Sequence, residues 1–176
     1  MKVKIGKYPK NSSKDRKISV EIDDYDVWNL DTTLALIIHP ALIKMRASAH
    51  GSPNVSDDDV PEKLKSTSAP AKINEDDIDD NFHKRWEWAL DEMIFAFDEI
   101  LQDRAFELFS TGKHDIIWKP LDDNQNETSE DKAKFYEMTK GLKDTYQLDK
   151  VGFDEFNARI QNGLRLFGVY YRNLWT

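Results

Sequence analysis

Cysteine is absent from this sequence of 176 residues, which excludes disulfides, thiolate zinc sites and cysteine nucleophiles and points to an intracellular protein. Also missing is any run of the roughly 18 apolar residues that a membrane span needs, and the start MKVKIGKYPKNSSKDRK lacks the apolar stretch of a signal peptide. The expectation is a soluble chain with no membrane partner. Positive charge is in deficit, with 25 Lys and Arg against 33 Asp and Glu and a formal charge of −8. Phosphate backbones are held by clustered Lys and Arg, so nucleic acid is not an expected partner. No GxGxxG, GxxxxGK[ST], HExxH, GxSxG or calcium-loop pattern occurs.

What is present fits one α+β domain over residues 1–176, with three main helices, an N-terminal β-hairpin and a small antiparallel element. Charge is unevenly spread. Seven of the first seventeen residues are basic against one acid, whereas residues 50–80 hold nine acids against three lysines. KVKIG (2–6) and RKISVEI (16–22) alternate charged with β-branched residues and flank turn-type residues, which predicts a basic hairpin over 1–23. Residues 29–50 have helical spacing, with Asn29 or Asp31 as cap, Gly51 as stop, His50 as a C-terminal cap and Pro40 inside as a kink or break. Residues 51–79 show neither period and read as an acidic wrapping loop pinned by Val55, Val60, Leu64 and Ile73, or as a tail-like insertion.

A central aromatic-rich helix is predicted over 80–111, capped by Asp79, Asp80 or Asn81 and ended by Gly112. Trp86, Leu90, Met93 and Phe97 make one apolar stripe, and Trp88 and Phe95 a second, so two neighbours are expected to pack on it. Short strands and a polar loop, DDNQNETSED, fill 115–149, with FYEMT and TYQLD as the arms of a hairpin around KGLKD; a helix through Phe135, Met138 and Leu142 is the other reading. Residues 152–175 are the last helix, where Gly163 and Gly168 suggest close approach of a neighbour.

Two groups of residues carry candidate chemistry. On the central helix His83, Glu87, Asp91 and Asp98 share one face, a line that would chelate a divalent ion, with Asp31, His39 or His50 as further contributors, or would simply be the solvated edge. WEWALDEM resembles half of a paired-carboxylate pyrophosphohydrolase site, but no ExxE partner exists on another helix. In the loop, Asp57, Asp58, Asp59 and Glu62 form an acidic surface suited to a basic partner protein. No cofactor is expected beyond a possible divalent metal.

IDDYDVWNLDTTLALIIHPALIKM, HGSPNVSDDDVPEKLKSTSAP, FHKRWEWALDEMIFAF and IQNGLRLFGVYYRNLW, in this order, resemble the blocks of a family of small proteins of tailed bacteriophages without an assigned function. The resemblance covers residues 22–175 and implies a phage origin and action in the cytoplasm of the infected bacterium or in the virion. It also favours the wrapping loop. It departs at Thr32, where the family has His, and at the NFH that ends on His83, where the family has NHF; both weaken a metal site built on those positions. The leading expectation is a phage accessory protein that binds a host or phage protein through the acidic surface. The alternatives are a divalent-metal hydrolase of a nucleotide or phosphate ester using His83, Glu87 and Asp91, and a virion structural subunit.

Overall fold

The computed structural model describes residues 1–10, 14–72, 74, 76–120 and 136–175. It has the α+β architecture. The chain forms two compact units where the composition suggests one domain: Met1–Asp103 with Ala158–Thr176, and Arg104–Asn157.

The first unit begins with β1 (Lys2–Ile5) and β2 (Ile18–Glu21), an antiparallel pair in which Val3 faces Val20 and Ile5 faces Ile18. A helical turn that the apolar spacing does not reveal follows as α1 (Asp24–Trp28). The Asp26 carboxylate accepts from the Asp23 backbone N–H at 2.8 Å and pairs with the ammonium of Met1, which ties the hairpin's start to α1. Helix α2 (Leu30–Ser48) contains Pro40 without being divided by it. It stops before Gly51: the Ser48 hydroxyl donates to the Lys44 carbonyl, and His50 Nδ1 meets the Ser48 carbonyl, satisfying acceptors at the helix end.

Helix α3 (Phe82–Gln102) is the centre of this unit, and α5 (Lys150–Val169) adds its second half to it. Trp86, Ala89, Leu90, Met93 and Phe97 of α3 are buried with Ala35 and Leu42 of α2, and with Leu166 and Tyr170. Each such large apolar side chain stabilises by about 1.5–3 kcal/mol relative to its exposed state. The approach to α5 is close because Gly163 has no side chain; a Cβ there would lie 2.4 Å from the Glu92 carbonyl oxygen. Phe97 meets Phe167 edge-on at 5.0 Å, and Trp86 meets Tyr170 at 6.0 Å.

The central helix is shorter than its composition suggests. It ends at Gln102, because Asp103 adopts a left-handed conformation (φ 46°) and sends its N–H to the Glu99 carbonyl. Aspartate tolerates that region, so the polar run Gln102-Asp103-Arg104 ends the helix before Gly112.

Within the second unit, α4 (Ala105–Phe109) leads into β3 (Ser110–Thr111), which pairs with β6 (Gln147–Leu148); β4 (Ile116–Pro120) pairs with β5 (Tyr136–Lys140). The predicted hairpin between the two tyrosine-containing arms does not form, since each arm pairs with an earlier strand. Asp115 supplies the reason: its carbonyl takes the Gly141 N–H at 2.7 Å and its carboxylate the Lys143 N–H at 2.9 Å, so the reversal at 141–143 is fastened to residue 115. The polar loop DDNQNETSED lies outside the described residues, as does Phe135.

Candidate functional site

The acidic loop is built as three single 3-10 turns, Asp57–Asp59, Glu62–Leu64 and Ser66–Ser68. Its apolar residues Val55 and Val60 are buried in the core and Leu64 packs against it; Ile73 lies outside the described residues. Within the first turn the acids divide by role. Asp57 accepts from the Ser66 backbone N–H at 2.9 Å and from its hydroxyl, and sits 3.8 Å from the Arg85 guanidinium. Asp59 accepts from Tyr170 Oη at 2.6 Å and from Arg165 at 2.7 Å. Only Asp58 and Glu62 of the four acids are exposed, and Glu62 pairs with Lys65 at 2.7 Å. The expected acidic surface is therefore corrected: Asp57 and Asp59 hold the loop to the body, because cations from α3 and α5 reach them.

The loop's return into α3 uses residues whose roles composition hides. Asn81 occupies the cap position, but its side-chain N–H groups go to the carbonyls of Lys63 and Lys65 at 3.3 and 3.2 Å. Arg85, only 3% exposed, grips both oxygens of Asp79 at 2.8 Å and donates to the Leu64 carbonyl at 3.3 Å.

Along the predicted ligand face of α3, His83, Glu87 and Asp91 are exposed. Arg46 of α2 bridges the two carboxylates, at 2.9 Å from Asp91 and 3.4 Å from Glu87. His83 Nδ1 meets the Ser52 hydroxyl at 2.9 Å, and His39 lies 3.9 Å from Asp98. A cavity of about 260 Å³ between these helices is lined by Arg46, His50, Ser52, His83, Trp86 and Glu87. Asp31 is remote from it in the sense that it lines none of its wall. Among the described residues no three His, Asp or Glu side chains form a group that could hold a metal ion. An ion at Glu87 and Asp91 would have to displace a guanidinium that already satisfies both.

A third surface was not legible as a site. Every residue of β1 and β2 is exposed, including the apolar face made by Val3, Ile5, Ile18 and Val20. Next to it in the chain, Tyr25 and Trp28 are 89% and 86% exposed and, with Asp24, line a shallow apolar hollow. The signal available in the sequence was DDYDVW, where an Asp three residues after another closes a helical turn in front of a tryptophan.

The staples of the loop set a pH dependence. The Ser66 hydroxyl and N–H hold Asp57 below the usual carboxylate range, and the Arg85 guanidinium does the same for Asp79. Burial pushes Asp59 up, but Tyr170 and Arg165 outweigh it and the net shift is downward. Burial and then Asp59 push the Tyr170 phenol up to about 12. Depressed carboxylates stabilise above their unfolded value of ~3.9 and lose that contribution as pH falls through the folded one; a raised phenol stabilises below ~10 and loses its contribution as pH rises toward the folded value. Urea midpoints should therefore be flat between pH ~5 and ~9 and fall on both sides, and Tyr170→Phe should blunt the alkaline fall.

No helix among the described residues is long and apolar enough to cross a membrane. Compared with protein-family models, curated proteins and solved structures, the chain shows no significant match.

Proposed function

We propose that this chain is an accessory protein of a tailed bacteriophage that works in the cytoplasm of the infected bacterium by binding a host or phage protein. The binding role rests on the uncovered N-terminal face, where Trp28 stands 86% exposed beside Tyr25 and the open hairpin. Isolated apolar residues are ordinary on a surface, but adjoining ones, rich in aromatics, mark protein contacts. The phage setting rests on the resemblance of residues 22–175. Affinity comes from the aromatic anchors; Asp58 and Glu62 belong to the loop fastened to the N-terminal end of α3, whereas the contacts of α2 put Trp28 toward the other end, so they serve as controls away from that face.

Affinity capture from infected-cell lysate tests this with three forms of the full chain. The wild type should retain one discrete protein, Trp28→Glu should lose it, and Asp58→Lys with Glu62→Lys should keep it unchanged. Trp28→Glu touches an exposed side chain, so its melt should stay within about 0.5 kcal/mol of the wild type. Identical capture by all three would sink the reading.

A further inference from the structure

We infer that the N-terminal face is covered by a second copy of this chain, in a twofold pair in which each hairpin lies on α1 of the other copy. This rests on the reading of that face as a protein-binding surface and names its occupant.

The hairpin needs a cover. A two-stranded ribbon is marginal in water by itself, and here the cross-strand pairs Val3 with Val20 and Ile5 with Ile18 place four β-branched side chains on one face with all four exposed. The hollow beside Tyr25 and Trp28 needs one too. The two surfaces are exposed at the same time, so within one copy neither covers the other.

Their charges are complementary. Residues 1–22 carry seven basic residues and two acids, while residues 23–31 carry four aspartates and no Lys or Arg. Asp26 is used by the Met1 ammonium and Asp23 by the turn of α1, while Asp24 and Asp31 are exposed, Asp24 in the hollow with the aromatics. Lys2, Lys4 and Lys17 alternate with the β-branched residues and project from the ribbon's other face, so their long side chains edge the contact while the apolar face fills it; one chain thus holds both halves of a contact, an apolar ribbon edged by basic residues and an acidic aromatic turn. A twofold axis pairs them twice at once, the self-complementary arrangement of isologous dimers. A different partner with an acidic apolar surface would cover the hairpin and leave Trp28 open.

Sedimentation velocity on the full chain from about 1 to 100 µM, a range that brackets micromolar affinity, is the test. A dimer is expected for the wild type, and a monomer across the range for Trp28→Glu. Lys4→Glu with Lys17→Glu should weaken association about tenfold or more, and so should Asp24→Lys with Asp31→Lys. An equimolar mixture of these two charge variants should recover the dimer, because each then meets its complement at both contacts. A wild type that stays monomeric at about 100 µM overturns the inference, whether anionic vesicles or another protein then bind the face. A dimer that survives Trp28→Glu, or a mixture that fails to recover it, also overturns it. Partner capture that still depends on Trp28 in a monomeric wild type would preserve the protein-binding reading while removing the second copy.

Discussion

Replacement of Asp79 by alanine should lower the melting temperature by about 6–20 °C, the largest single effect expected from a polar residue of this protein. The reason lies in what remains. Arg85 is 3% exposed and its two terminal nitrogens are bonded to Asp79 at 2.8 Å. Without that carboxylate the guanidinium keeps the Leu64 carbonyl and Asp57, which is 3.8 Å away and already engaged by Ser66, while its Nε has no hydrogen-bond partner among the described residues. An uncompensated buried charge costs about 3–5 kcal/mol, and a chain of this length loses about 2–4 °C per kcal/mol. A second substitution separates the pair's worth from the cost of breaking it. Asp79→Ala with Arg85→Met should recover most of the loss, since a buried ion pair is often replaceable by apolar side chains. A double variant as unstable as the single one would mean that Arg85 stabilises mainly through its contact with the loop.

The second large effect concerns two glycines of one helix with opposite expected signs. Alanine is favoured over glycine inside a helix by about 1 kcal/mol. At Gly168 a Cβ would meet nothing within 4 Å, so Gly168→Ala should raise the denaturation midpoint by up to that amount. At Gly163 the added carbon would lie 2.4 Å from the Glu92 carbonyl oxygen and 2.6 Å from the Ala96 Cβ, both on α3. Backbone cannot swing aside as a long side chain does. The helices must separate and loosen Leu90, Met93 and Leu166, and Gly163→Ala should destabilise by a net ~1–3 kcal/mol. Equal responses at the two positions would show that propensity, not helix approach, governs both.

How far each feature was legible follows from the range of the interaction behind it. The helices α2, α3 and α5 were readable because their apolar residues recur at helical spacing; the two glycines of α5 carried the same signal for close approach, which holds at Gly163 and fails at Gly168, where a Cβ would meet nothing within 4 Å. The break at Asp103 was hidden: one residue in a left-handed conformation leaves no periodic trace. Strand partners were hidden too, since Gly141 and Lys143 answer to Asp115 and not to their neighbours. The acids of the loop look alike in composition. What separates Asp58 from Asp57 and Asp59 is the arrival of Arg85, Arg165 and Tyr170 from distant helices. Alternation in KVKI likewise marks a two-faced strand without saying whether anything covers its apolar side.

The bond from Tyr170 to Asp59 spans 111 positions of the chain. A ribosome adding about 5–20 residues per second delivers Tyr170 roughly 6–22 s after Asp59. For that interval Val55 and Val60 wait, and the apolar side of α3 waits from its own synthesis onward, without Leu166 and Tyr170, which complete their enclosure in the finished protein. Slowing translation between codons 60 and 160 should therefore lengthen the exposure of these apolar residues and increase aggregation without altering a single contact of the folded product.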